Sequence, residues 1–282
     1  MPRRRMGHGG RVAETYVGVS GWRYRSWRGD FYPAGLVQRR ELEYVAEQMT
    51  SVELNGSFYS LQRPSTYRRI AEQVPAGFPV AVKGGRFVTH MRRLREPEQG
   101  LANFFGSGVL ALGDRLGPFL WQLPGNLPFD HDLVSAFLAQ LPRDHAGVAA
   151  LGSRHDDKLK ADRAVTEPVV DLPVRHALEP RHASFGEPAA LRLLREHDVA
   201  LVASDSPGTW PCFDEDTAGF RYVRLHGHTE LYASGYSSRS LKRWADRLRE
   251  WRAAGQDSYV YFDNDARGHA PHDAVALLRR LG

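Results

Sequence analysis

The chain has 282 residues, 42% of them hydrophobic and 25% charged, which suits one large globular core and excludes a disordered or fibrous chain. Its single cysteine, Cys212, excludes an internal disulfide and any multi-cysteine metal site. The net charge of +5 is a weak sign of a nucleic-acid partner, because Arg3, Arg4, Arg5 and Arg11 precede the first acid, Glu14, and leave only +1 on the body.

No apolar run approaches the ~20 residues of a membrane span. The start, MPRRRMGHGGR, leads into no apolar signal region, so a cytoplasmic protein is expected. Residues 1–14 read as a basic flexible tail and 15–282 as one domain.

Along the chain, short β-branched runs alternate with helical stretches. YVGVSGW (16–22) reads as a strand, and 39–49 as a helix with Leu42, Val45, Ala46 and Met49 on one face. SVELN (51–55) is a second strand, and 65–74 a helix after Pro64. PVAVKGG (79–85) is a third strand, followed by a helical region beyond Pro97. PFLWQLP (118–124) is a fourth, and 130–141 a helix with an acidic start. Residues 143–172 carry mixed charge without a steady period and read as an irregular, partly mobile insertion. Alternation resumes with a strand at 174–182, a helix at 187–197 and a strand at 199–205. A Pro/Gly loop, a strand at 220–227, a helix at 237–255, a strand at 258–265 and a helix at 271–281 complete the chain.

Eight strands, nearly all followed by helices, in about 265 residues predict an α/β protein of the (β/α)8 TIM-barrel type. The competing doubly wound sheet usually carries a glycine-rich phosphate turn after its first strand. Here that turn reads V-S-G-W-R-Y, with no GxGxxG.

Seven motifs carry a resemblance to a known family: VSGWRYRSWRGDFYP (19–33), SVELNGSFY (51–59), VKGGRFVTH (82–90), LGPFLWQLP (116–124), EPRHASF (179–185), YVRLHG (222–227) and YFDND (261–265). In this order, over roughly 16–282, the chain resembles the YecE-like family, a domain of unknown function. The resemblance implies a TIM-type barrel, and it implies no settled activity. Two positions depart from the family pattern. Pro180 stands where an aliphatic or aromatic residue is more usual, and Asp263 where asparagine is common.

In a barrel of this kind, catalytic side chains lie at the C-terminal strand ends, and side chains alternate in and out along each strand. With Val52, Leu54, Val80, Val82, Leu178, Pro180, Val223 and Leu225 facing the helices, Glu53, Asn55, Ala81, Lys83, Ala177, Glu179, Arg181, Tyr222, Arg224 and His226 face the axis. The expected mouth also holds Ser20, Trp22, Gln122, Asp205 and Asp263 or Asn264. Glu53 and Glu179 are the candidate acid and base, with His226 as proton shuttle. Lys83, Arg181 and Arg224 are candidates for gripping a phosphate or carboxylate. Trp22, Asn55, Tyr59, Gln122, His182 and Asn264 are further candidates for lining the ligand site. Trp22, Tyr24 and Trp27 could form a stacking wall or pack the lip, and His90 follows the third strand. A purely structural lattice of buried ion pairs would place the same residues together.

Three functions fit this pattern. One is a barrel enzyme acting on an anionic small molecule by acid/base chemistry, with no metal or cofactor. A second is a nucleic-acid-directed binder or metal-dependent nuclease-like barrel, which the near-neutral body and the cations at the mouth disfavour. The third is a non-catalytic barrel that senses a metabolite.

Overall fold

A computed structural model describes residues 12–282. Most of the basic segment assigned to the tail, 1–11, lies outside the described residues. Beyond it the chain packs at once. Ala13 is buried, the Glu14 amide donates to Asp257, and the Glu14 carbonyl accepts from Ser258.

The described residues form nine strands: β1 (Thr15–Val19), β2 (Val52–Leu54), β3 (Val80–Lys83), β4 (Leu116–Gln122), β5 (His176–Glu179), β6 (Val199–Leu201), β7 (Ala203–Asp205), β8 (Phe220–Leu225) and β9 (Asp257–Phe262). Between them lie α1 (Glu41–Gln48), α2 (Gly56–Tyr59), α3 (Pro64–Gln73), α4 (Glu98–Gly106), α5 (His131–Leu138), α6 (His145–Gly152), α7 (Pro188–Glu196) and α8 (Ser238–Ala253), with α9 (His269–Leu281) last. Every ladder is parallel.

The ladders do not form the single eight-stranded run that the sequence predicts. They form a five-stranded sheet, β2-β3-β4-β5-β6, and a four-stranded sheet, β1-β9-β8-β7. The sixth expected strand is divided because the chain changes partners at Val202. The Val202 amide still donates to Leu178 of β5, whereas Ala203–Asp205 pairs with β8. At the opposite edges, Ser20 and Glu53 form an isolated parallel bridge, and the Gly21 amide donates to the Glu53 carbonyl.

The pleat separates two cores. Val52, Leu54, Val80, Val82, Leu178, Val223 and Leu225 belong to the large core under the helices. Ala81, Leu120, Ala177, Ala200, Tyr222 and Tyr261 belong to a second core drawn from both sheets. Period-two alternation thus sends one set of side chains to each side. The inner cores of the two sheets meet, and polar inner positions lie at the C-terminal strand ends.

Helix starts follow local chemistry. Asp130, Asp144 and Ser237 cap α5, α6 and α8, each accepting a backbone N–H with its side chain. Pro64 and Pro188 occupy first-turn positions that need no N–H donor. The insertion at 143–172 is irregular only in part, since α6 forms inside it. Its sequence, HAGVAALG, has apolar residues around the helix instead of along one stripe, so periodicity gave no signal. No helix among the described residues is long and apolar enough to cross a membrane.

Gly18 sits where β1 approaches β2. A Cβ there would collide with the Ser51 carbonyl oxygen. Gly18→Ala is therefore expected to lose about 1–3 kcal/mol of stability by overpacking. Denaturant melts compared with wild type would read the loss, and an unchanged midpoint would show that the strands separate freely.

Candidate active site

The second core ends in a layer of buried charge. Arg224, at the end of β8, lies at its centre and has no exposed surface. Its Nη2 donates to Glu53 at 2.9 Å, to Asp263 at 3.1 Å and to the Ser20 hydroxyl at 2.8 Å. Its Nε donates to Glu53 at 3.2 Å, and its Nη1 to Glu179 at 3.0 Å. One guanidinium thus joins carboxylates from β2, β5 and the segment after β9, spanning both sheets. A planar fork of five donors can do this where a lysine could not.

The carboxylates are bonded on their other sides too. Glu53 accepts from the Ser20 hydroxyl at 2.5 Å and the Tyr222 hydroxyl at 2.6 Å. Glu179 accepts from Gln122 Nε2 at 2.7 Å and the Ser204 hydroxyl at 3.2 Å. Burial opposes ionisation of Glu179, but Arg224 and His226 outweigh it and hold the carboxyl well below its usual range. Asp263 is likewise held low by Arg224 and His226 against the same penalty. His226 lies between these two, with Nε2 at 2.9 Å from Glu179 and Nδ1 at 3.0 Å from Asp263. Both ring nitrogens face carboxylate acceptors, which is the arrangement of an imidazolium. The two hydrogen bonds raise its pKa although burial lowers it. This contribution to stability is full below the unfolded value near 6.5 and fades as pH rises through the higher folded value.

These contacts revise three expectations. Glu53 and Glu179 are fully bonded and unexposed, so neither presents a free acid or base to a ligand. His226, the expected proton shuttle, is held between two carboxylates. Arg224 is committed to three carboxylates, so it is unavailable to grip an anion. These four residues, with Asp263, form a charged floor.

Above the floor are cations without carboxylate partners. Lys83, at the end of β3, is 8% exposed. Among the described residues its ammonium makes no ion pair, and it sits 4.6 Å from the centre of the Phe58 ring. Burial and the nearby Arg224 lower its pKa to about 8, against the pull of Glu53, Asp263 and Glu179. Arg181 shares the inner face with Glu179, as its spacing predicts, but does not pair with it. Its guanidinium lies 3.5 Å over the Trp210 ring, its Nη2 donates to the Tyr232 hydroxyl at 3.2 Å, and its Nε has no partner. Tyr232 itself is held in the left-handed region at φ 61°, an uncommon backbone state for an aromatic residue. His90, on the π-helical turn Phe87–Met91, packs edge-on against Phe58 with ring centres 5.1 Å apart. Burial, and then Lys83 and Arg181, lower its pKa, so it is neutral at neutral pH.

The other candidates divide. Gln122 joins the floor through Glu179. Asn55 donates to Ser20 at 2.7 Å and keeps an unpartnered Oδ1. Trp22 is buried and lines a separate cavity of about 390 Å³ between the loops after β1 and β2 and α3. Trp27 is core, packed with Tyr24, Phe31 and Tyr32, so no stacking wall stands there. Tyr59 is 66% exposed on the rim, with Arg86 near its ring. His182 accepts the Ser184 amide and caps the short turn Ala183–Gly186, away from the floor. Asn264 points out of the mouth and donates to Asp273 and the Ser234 carbonyl. Asp205 also turns outward and accepts from Trp244, and Ser204 is the inner residue of that strand. The alternation in VALVASD could have identified Ser204; Trp210 and Tyr232 lie in loops where no periodicity applies.

Residues 16–282 match the family described as "Protein of unknown function DUF72". The chain belongs to the DUF72 family. It is 22% identical to the UPF0759 protein YunF of Bacillus subtilis, over 94% of each chain. A DUF72 family protein of Thermotoga maritima shares its fold with a TM-score of 0.74 at 23% identity, covering 95% of this chain and 99% of that one. A second DUF72 structure, from Enterococcus faecalis, gives 0.72 at 16% identity, covering 95% of each. The fold extends to a 3-keto-D-glucoside 4-epimerase, YcjR, of E. coli, with a TM-score of 0.51 at 15% identity over 95% of this chain and 98% of that one.

Removing the central cation of this DUF72 site should be costly. Arg224→Met would strand three buried carboxylates, and about 3–5 kcal/mol of stability should be lost at neutral pH. Without the guanidinium their pKa values rise, so the deficit relative to wild type should shrink as pH falls toward 5. Melts across that range check the sign, and a deficit that grows on acidification would contradict the arrangement.

Proposed function

We propose that this DUF72 protein is an enzyme that binds an anionic small molecule, bearing a phosphate or carboxylate, at the mouth formed by the C-terminal strand ends. In this reading the two sheets are arcs of one eight-stranded barrel, with 199–205 as a single strand crossing between them. The Val202 hydrogen bond on one side and the Ser20–Glu53 bridge on the other support that closure.

The observation that carries the functional reading is the pair of cations, Lys83 and Arg181, without a carboxylate partner above a floor whose three carboxylates are each bonded to Arg224. Cations left unpaired at the edge of a buried site attract an anion. Arg181 is pre-oriented by Trp210 and Tyr232, so its free edge can grip a phosphate or carboxylate as a fork. Lys83 and neutral His90 flank the same Phe58 ring and are the groups able to exchange protons near neutral pH. Glu53, Glu179, Asp263 and His226 then supply fixed electrostatics beneath the ligand. The epimerase that shares the fold supports small-molecule chemistry by analogy alone.

Inorganic phosphate should raise the melting temperature of the wild-type protein. Arg181→Lys keeps the charge but loses the fork, so phosphate binding should weaken by about 1–3 kcal/mol, or roughly tenfold to a hundredfold. Stability without phosphate should barely change, because Glu179 is held by Arg224 and His226. Phosphate titrations followed by thermal melts read both quantities. Equal phosphate responses in wild type and variant would remove Arg181 from the site.

A further inference from the structure

The chain meets its need for positive charge with arginine. Only four of its 38 basic residues are lysines: Lys83, Lys158, Lys160 and Lys242. The last three are exposed, and Lys83 alone is buried. Where a charge suffices, arginine serves. A lysine offers something that a guanidinium cannot, an amine that loses its proton and attacks carbon.

The surroundings of Lys83 favour that use. The carboxylates that would otherwise keep it charged are bonded to Arg224 and His226, and Arg224 repels a second cation nearby. Among the described residues its ammonium makes no ion pair, and it lies 4.6 Å from the centre of the Phe58 ring. Arg181 offers a free Nε for the ligand's anionic group.

We propose that Lys83 forms a protonated imine with an aldehyde or ketone of the anionic ligand, so that the substrate class is a phosphorylated or carboxylated carbonyl compound. This rests on the anion-binding reading above. The free amine adds to the carbonyl carbon, forming the C–N bond as the carbonyl π pair moves to oxygen. The oxygen is protonated, and it leaves as water when the nitrogen lone pair forms the C=N bond. An ammonium and a carbonyl thus give an iminium and water, with no change of oxidation state. Attached to the reacting carbon, the iminium acidifies the neighbouring C–H bonds, which suits proton exchange with neutral His90.

Pyridoxal 5′-phosphate, a phosphorylated aldehyde, tests this on the full-length protein. Brief exposure followed by borohydride and peptide mass mapping reports which lysines formed an imine. Lys83 should be labelled first. At pH 7 it should react on the order of a hundredfold faster than the exposed lysines, from its larger fraction of free amine. The charged groups facing Lys83 are Arg224, Glu53, Asp263 and Glu179, with His90 and Arg181 beside it. Together they should place the inflection of its labelling rate near pH 8, against 10.5 for an ordinary lysine. Inorganic phosphate should slow labelling at Lys83 and leave the other three unaffected. Labelling at Lys83 no faster than at Lys158, Lys160 and Lys242, with phosphate still stabilising the protein, would overturn the imine and leave the anion site standing. Rapid labelling at Lys83 without any phosphate protection or stabilisation would keep the imine and remove the anion site. Lys83→Arg should lose the fast label, and a fast label elsewhere in that variant would also overturn the assignment.

Discussion

The buried guanidinium of Arg224 is the constraint on which this structure depends. A charge placed wholly inside a protein is expensive unless it is paired and fully hydrogen-bonded. Arg224 meets that condition only because β2, β5 and the segment after β9 bring Glu53, Glu179 and Asp263 to within about one hydrogen-bond length of it. Those groups come from both sheets. Correct packing of the two sheets against each other and satisfaction of the buried charges are therefore coupled. Tyr222 and Ser20 complete Glu53, and Gln122 and Ser204 complete Glu179, while Asp263 takes both of its bonds through Oδ2.

The same arrangement prepares the mouth. A site in which every cation had its own carboxylate would have nothing left for a ligand. Here Arg224 and His226 hold the three floor carboxylates and offset two of their three charges, and Lys83 and Arg181 remain without carboxylate partners just above. Trp210 and Tyr232 fix Arg181, and Phe58 seats Lys83 and His90. Gly227 makes the sharp turn after β8 that starts the Tyr232 loop. Its φ is 121°, and a Cβ there would strike the Glu230 carbonyl.

Much of this was legible in the sequence, because period two is strict. Alternation alone put Glu53, Lys83, Glu179, Arg181, Arg224 and His226 on one side and Val52, Val80, Leu178 and Val223 on the other. It could not tell which inner charge pairs with which. Glu179 and Arg181 are two residues apart on one strand, yet the partner of Glu179 arrives from β8, a pairing set by how the sheets close. Arg181 instead finds an aromatic face on a loop that carries no pattern. The strand at 199–205 read as continuous, since a change of ladder partner leaves the alternation of VALVASD intact. Asp205 is expected at the mouth, whereas the parity of that run assigns Ser204 to the inner face.

The claim that the floor carboxylates are held by cations of the floor itself is tested most directly at His226. Nitrogen NMR of the histidine rings, with the His226 signals identified by their loss in His226→Gln, reports how many ring nitrogens carry protons. The account predicts an imidazolium, protonated at both nitrogens at pH 7 and titrating above the ordinary value of 6.5. A neutral ring at pH 7, with one bare nitrogen, would mean that one of the two carboxylates beside it carries a proton, and it would contradict the charge arrangement from which the open cations at the mouth were derived.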